Sequence, residues 1–150
     1  KEVMIIGMGI DRWNSVLNGY MEMEIVGVFD MEIEILKRAD EGECYLIMRL
    51  GKESELIGNE PGRKTLGFAN RIGGSYLYVI PELMVDGDME RVILHEVGHI
   101  LGARHTGSGL MVGNYIRGTP QCVDELAVRQ VGEYWGYDWT KMNYCVREGN

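Results

Sequence analysis

Residues 95–105 read His95-Glu96-Val97-Gly98-His99-Ile100-Leu101-Gly102-Ala103-Arg104-His105, and they gather all three histidines of a 150-residue chain. On a helix, at about 100° per residue, His95 and His99 stand about 40° apart and one turn above each other. Two imidazoles so placed can aim ring nitrogens at one ion about 2.0–2.1 Å away. Glu96 lies about 100° round from His95, close to such an ion but badly placed to ligate it. The opposite face carries Ile93, Val97 and Ile100, which anchor the helix to a core. Gly102 lets the chain leave the helix in a conformation that a β-carbon resists, and the turn brings His105 back as a third ligand. Three histidines leave the fourth position of zinc open for water, the arrangement of catalytic rather than structural sites. H-E-x-x-H alone arises by chance in roughly 0.6% of chains of this composition, and the further Gly and His lower this to about 2 in 100,000.

The rest of the chain reads outward from that helix. Asp86-Gly87-Asp88 starts it, with Glu90 in the first turn where the helix dipole favours an anion, and Leu101 ends it. Ile6, Ile10, Trp13 and Leu17 make an N-terminal helical stripe that stops at Asn18-Gly19, although residues 3–8 alone could be a strand. Met21, Met23 and Ile25 alternate with Glu22 and Glu24 as a half-exposed strand. Met31, Ile33 and Ile35 alternate with Glu32 and Glu34, in competition with a short helix through Leu36 and Ala39. Residues 44–50 are a buried strand and 51–64 a long loop. Short strands follow at 66–70 and 76–80, around Gly73-Gly74. Thr119-Pro120 reads as an N-cap with Pro at the first helical position. An amphipathic C-terminal helix with Ala127, Val131, Tyr134 and Trp135 then ends at Gly136. Strands in the first half and helices in the second predict an α+β chain, one domain over residues 1–150.

Composition narrows the function. Hydrophobic residues are 45% and charged residues 25%, values of a folded, water-facing domain. Net charge is −8 and the acidity is spread, so no basic patch offers itself to nucleic acid. No apolar run approaches the roughly 20 residues of a membrane span. Cys44, Cys122 and Cys145 lack C-x-x-C spacing; one disulfide plus a thiol, or three thiols, are both open. Lys1 in place of an initiator Met suggests a processed or excised segment.

HEVGHILGARH followed by Gly109-Leu110-Met111 resembles the metzincin zinc peptidases, whose pattern is HExxHxxGxxH with a downstream Met-turn. Thr106 after the third His, and the run Trp13-Asn14-Ser15-Val16-Leu17 into residues 21–26, are most similar to the matrixin catalytic domains. That likeness implies a twisted mixed sheet of four or five strands, mostly parallel, with an antiparallel edge strand, a zinc helix and a C-terminal helix. It makes Met111 the Met-turn methionine beneath the site. It puts Leu66-Gly67-Phe68-Ala69-Asn70 at the edge strand above the cleft, so that Gly67, Phe68 and Ala69 bind an extended substrate by strand addition. Val112, Gly113, Asn114 and Tyr115 become a pocket wall. The activity implied is hydrolysis of peptide bonds by zinc-activated water with Glu96 as general base.

The chain also departs from the matrixin pattern. Met111 follows His105 by only six positions, against roughly eight, which demands a tight turn. No histidines remain for a second zinc, so one Zn2+ per chain is expected. A glycine-rich calcium loop is not recognisable in residues 58–64. The partner expected is a peptide or protein substrate, the state a monomer, and the compartment, from the likeness alone, extracellular or exported. Two other readings stand beside this one: a thermolysin-like peptidase with Glu125 as third ligand, and a zinc-containing module that binds peptides without cutting them.

Overall fold

The structure, a computed structural model, describes residues 1–55, 65–113 and 122–145. Helix α1 (Glu2–Leu17) buries Ile6, Ile10, Trp13 and Leu17 and also Ile5 and Val16. Residues 3–8 are helical because Ile5 and Ile6 follow the same 3.6-residue face while Met4 and Met8 turn to water. Asn18 ends α1 in the left-handed region at φ 48°, which asparagine tolerates better than most side chains.

Three strands follow as a meander: β1 (Met21–Phe29), β2 (Glu32–Ala39) and β3 (Gly42–Leu50). β2 is a strand through Leu36 and Ala39, so the competing helix does not form there. Its Ile33 and Ile35 stand opposite Met48 and Leu46 on β3, and all four are buried. That cross-strand packing outweighs the local helical option. β4 (Gly67–Ala69) and β5 (Tyr76–Val79) complete a five-stranded sheet in the order β1-β2-β3-β5-β4.

The sheet is mixed, as expected, but not mostly parallel: among the described residues β3 and β5 pair in parallel and the other three strand pairs are antiparallel. Chain length explains it. The links at 30–31 and 40–41 are far too short for a parallel crossover, which takes a dozen residues or more, whereas 51–75 is long enough. The antiparallel edge strand is where it was expected, in β4.

Helix α2 (Asp86–Ile100) packs against α1, β4 and β5. A β-carbon on Gly9 would come 2.9 Å from Ile93, so α1 approaches α2 closely only because Gly9 has none. The Trp13 indole donates to the Leu94 carbonyl at 2.9 Å and ties the two helices at the level of the histidines. Helix α3 (Glu125–Trp135) ends at Gly136, as read from the sequence, but starts with Asp124 at its N-cap. Tyr134, read as part of its apolar face, is 49% exposed. Thr119-Pro120 and residues 58–64 lie outside the described residues. Cys122 and Cys145 form a disulfide and Cys44 is an exposed thiol. Among the described residues, no helix is long and apolar enough to cross a membrane.

Candidate metal centre

The apolar face of α2 sets the site. Ile93, Val97 and Ile100 are fully buried, which turns His95 and His99 to the other side, half-buried. The helix stops in a Schellman motif: Ala103 N–H donates to Gly98 O at 2.8 Å and Gly102 N–H to His99 O at 3.1 Å. Gly102 is required there twice over. Its φ is +106°, and a β-carbon would overlap the Tyr134 ring. Arg104 N–H then donates to Gln130 Oε1 at 2.7 Å, and the exposed His105 returns over the helix end.

The three rings converge, with one ligand atom from each lying within 4.8 Å of the others. His95 Nδ1 is 2.8 Å from Leu110 O, and His99 Nδ1 is 2.9 Å from Ala103 O. A carbonyl only accepts, so both Nδ1 atoms must carry the proton and both Nε2 atoms keep a lone pair. His95 Nε2 and His105 Nε2 are 3.3 Å apart. Two nitrogens about 2.0–2.1 Å from one tetrahedral centre are separated by roughly 3.3–3.4 Å. Burial lowers the pKa of His95 to about 4, against the raising effect of the Leu110 carbonyl; it lowers His99 also, so both are neutral and able to ligate at neutral pH. The three-imidazole donor set, the free Nε2 atoms of His95 and His99 and the His95–His105 spacing suit a metal ion such as zinc.

Glu96 is buried, and that burial raises its carboxyl from 4.5 to about 7. It lies under β4. A β-carbon on Gly67 would meet Glu96 Cγ at 3.4 Å and Val92 at 3.3 Å, so the edge strand passes directly over this turn of α2. Strand alternation sends Phe68 the other way, where its ring stacks on Tyr78 at 5.1 Å. Of the three edge residues expected to bind substrate, Phe68 thus points its side chain away from the face that Gly67 turns to Glu96.

Met111 is buried against α2, where a β-carbon on Gly98 would come 2.8 Å from its sulfur. The six-residue return from His105 is indeed tight. Thr106 N–H donates to Met111 O at 2.9 Å, and Thr106 bridges to Val112. Gly113 lies beside the His105 ring; a β-carbon on it would be 3.3 Å from Nδ1. Asn114 and Tyr115 lie outside the described residues. Glu125 is exposed at the start of α3, accepts from the Tyr144 hydroxyl at 3.4 Å and does not join the three imidazoles.

Sequence reasoning missed the groups behind the ligands. The carbonyls of Leu110 and Ala103 orient two of the rings. The almost fully buried Arg91 donates to Gly109 O at 3.1 Å, and Leu110 N–H donates to Asp124 Oδ1 at 3.2 Å. Arg91 did carry a signal, standing four residues before His95 on the same helix face. Backbone carbonyls carry none.

Compared with models of known protein families, with characterised proteins and with solved structures, the chain matches none.

Proposed function

We propose that this chain is a zinc-dependent endopeptidase of the metzincin type, similar to matrixins, with His95, His99 and His105 as ligands and Glu96 as general base. The observation that carries the reading is the convergence of three imidazoles, two of them neutral and oriented through Nδ1, beside a buried carboxyl. Zinc held there supplies a Lewis acid for the scissile carbonyl and a water of lowered pKa.

The chain's own groups do the rest. Glu96, buried and next in sequence to His95, takes the proton of the attacking water and later gives it to the leaving nitrogen. Among the described residues β4 has one strand neighbour, β5, and its other edge would pair with an extended peptide. Met111 fills the space under the ligand helix as the Met-turn residue. A non-catalytic zinc module would have no use for a buried, unneutralised Glu96. The Cys122–Cys145 disulfide supports an oxidising, exported setting.

Digestion of a diverse peptide library, with and without a zinc chelator and read by mass spectrometry, tests this. Chelator-sensitive cleavage that Glu96→Gln reduces by roughly 10²–10⁴-fold is expected. Zinc bound one per chain with no cleavage of any peptide would leave a binding module and defeat the proposal.

A further inference from the structure

The two helix-borne ligands are oriented by very different means. The acceptor for His99, Ala103 O, is four residues away and belongs to the same helix end, so the Schellman turn that stops α2 also fixes that ring. The acceptor for His95, Leu110 O, is 15 residues away on a separate loop. Nothing local holds that loop against α2; tertiary contacts must.

Beside the buried Leu110 and Met111, two polar side chains make such contacts. Arg91, 2% exposed and one turn before His95, donates from Nη2 to Gly109 O at 3.1 Å. Asp124 accepts from Leu110 N–H at 3.2 Å. Gly109 has φ +82°, and a β-carbon on it would overlap the Asp124 carboxylate, so the loop reaches Asp124 only because residue 109 is glycine. Asp124 also stands at the N-cap of α3, with the extended backbone of a cap (φ −87°, ψ 169°), yet its side chain makes no capping bond. An aspartate there ordinarily bonds the first turn of its own helix. This one is committed to the loop instead. The Cys122–Cys145 disulfide and the Cys145 N–H to Val123 O bond of 2.9 Å hold the segment that presents it.

We propose that Arg91 and Asp124 are positioning residues for the metal centre, a two-sided clamp on Gly109 and Leu110 that keeps the Leu110 carbonyl on His95 Nδ1–H. The role rests on the zinc reading of the three histidines. Outer groups that orient a ligating histidine typically change metal affinity 10–100-fold. Both act on the loop that orients His95, so they are positioning and not catalytic residues.

The test uses the full chain and zinc alone. Asp124→Ala and Arg91→Met are expected to weaken zinc binding by roughly 10–100-fold in competition with a chromophoric chelator. In the metal-free protein, nitrogen NMR of the His95 ring should change from one Nδ1–H tautomer to a mixture. Asp124→Asn retains an acceptor and should recover much of both signals. Because Arg91 is deeply buried, Asp124→Ala decides the matter where Arg91→Met does not fold. A folded Asp124→Ala variant that binds zinc within twofold of the parent, with an unchanged His95 tautomer, overturns the clamp. Affinity lost with the tautomer intact overturns it as well, since the loss would then be merely structural. A parent chain that holds no zinc would instead defeat the proposed function, while the ring signals still decide the clamp.

Discussion

Glu96→Gln should make the metal-free protein more stable at alkaline pH while abolishing its activity. The carboxyl sits under β4 and beside Val92, and burial alone raises its pKa from 4.5 to about 7. In the unfolded chain the same group titrates near 4.5, so the folded state holds its proton more tightly. The stability linked to that proton is therefore fully present below about pH 4.5 and lost as pH rises through 7. The difference in pKa corresponds to about 3 kcal/mol at 1.36 kcal/mol per unit, an order-of-magnitude figure. Glutamine has nearly the same shape and no charge to desolvate. The variant should thus exceed the parent by up to about 3 kcal/mol at pH 9 and by far less at pH 4.5. Urea unfolding of both metal-free proteins at several pH values reads this directly, as a gap of roughly 1–2 M in midpoint for a slope near 2 kcal/mol/M. Comparing the gap between pH values cancels the cost of burying the amide and the titration of His95, which both chains share. Zinc should narrow the gap, because a nearby cation favours the carboxylate. A gap that stays constant from pH 4.5 to 9 would mean that Glu96 is not desolvated.

Other outcomes follow from the same geometry. His105→Ala removes a ligand while leaving α2 intact, so zinc affinity and cleavage should both fall and hydrogen exchange should rise across residues 102–111; zinc held as tightly as in the parent would return Glu125 to consideration as third ligand. Acid should release zinc and activity together, because ligating imidazoles must be neutral; elemental analysis across pH should start from one zinc per chain, and two tightly held zincs would count against the single site. In the metal-free protein the depressed pKa of His95 acts in the opposite sense to Glu96: its contribution is intact above about pH 6.5 and is lost as pH falls towards 4, a trend that His95→Gln should remove from the unfolding curves. Gly102→Ala places a β-carbon at φ +106° against Tyr134 and should cost about 2 kcal/mol or more in chemical unfolding, with weaker zinc binding; a neutral effect would show that the turn relaxes freely.

What could be read from the sequence was whatever depends on residues close together along the chain. The i, i+4 spacing of His95 and His99, the helix stop at Gly102, the left-handed end of α1 at Asn18 and the alternation of β1 all arise within one or two turns or a few strand residues, so periodicity reveals them. The three-histidine set was legible for the same reason, because the motif packs two ligands and the return of the third into eleven residues. The rest was decided by contacts between distant segments, for which sequence spacing holds no record. Tertiary packing alone pairs β3 in parallel with β5, buries Glu96 beneath β4 so that its pKa rises to about 7, and stacks the Phe68 ring on Tyr78. It also brings Leu110 O to His95 and commits the Asp124 side chain, at the N-cap of α3, to the Leu110 amide. These are matters of which buried polar group finds which partner. Desolvation makes every such group costly until it is paired, and the pairing is available only after the helices and the sheet have packed.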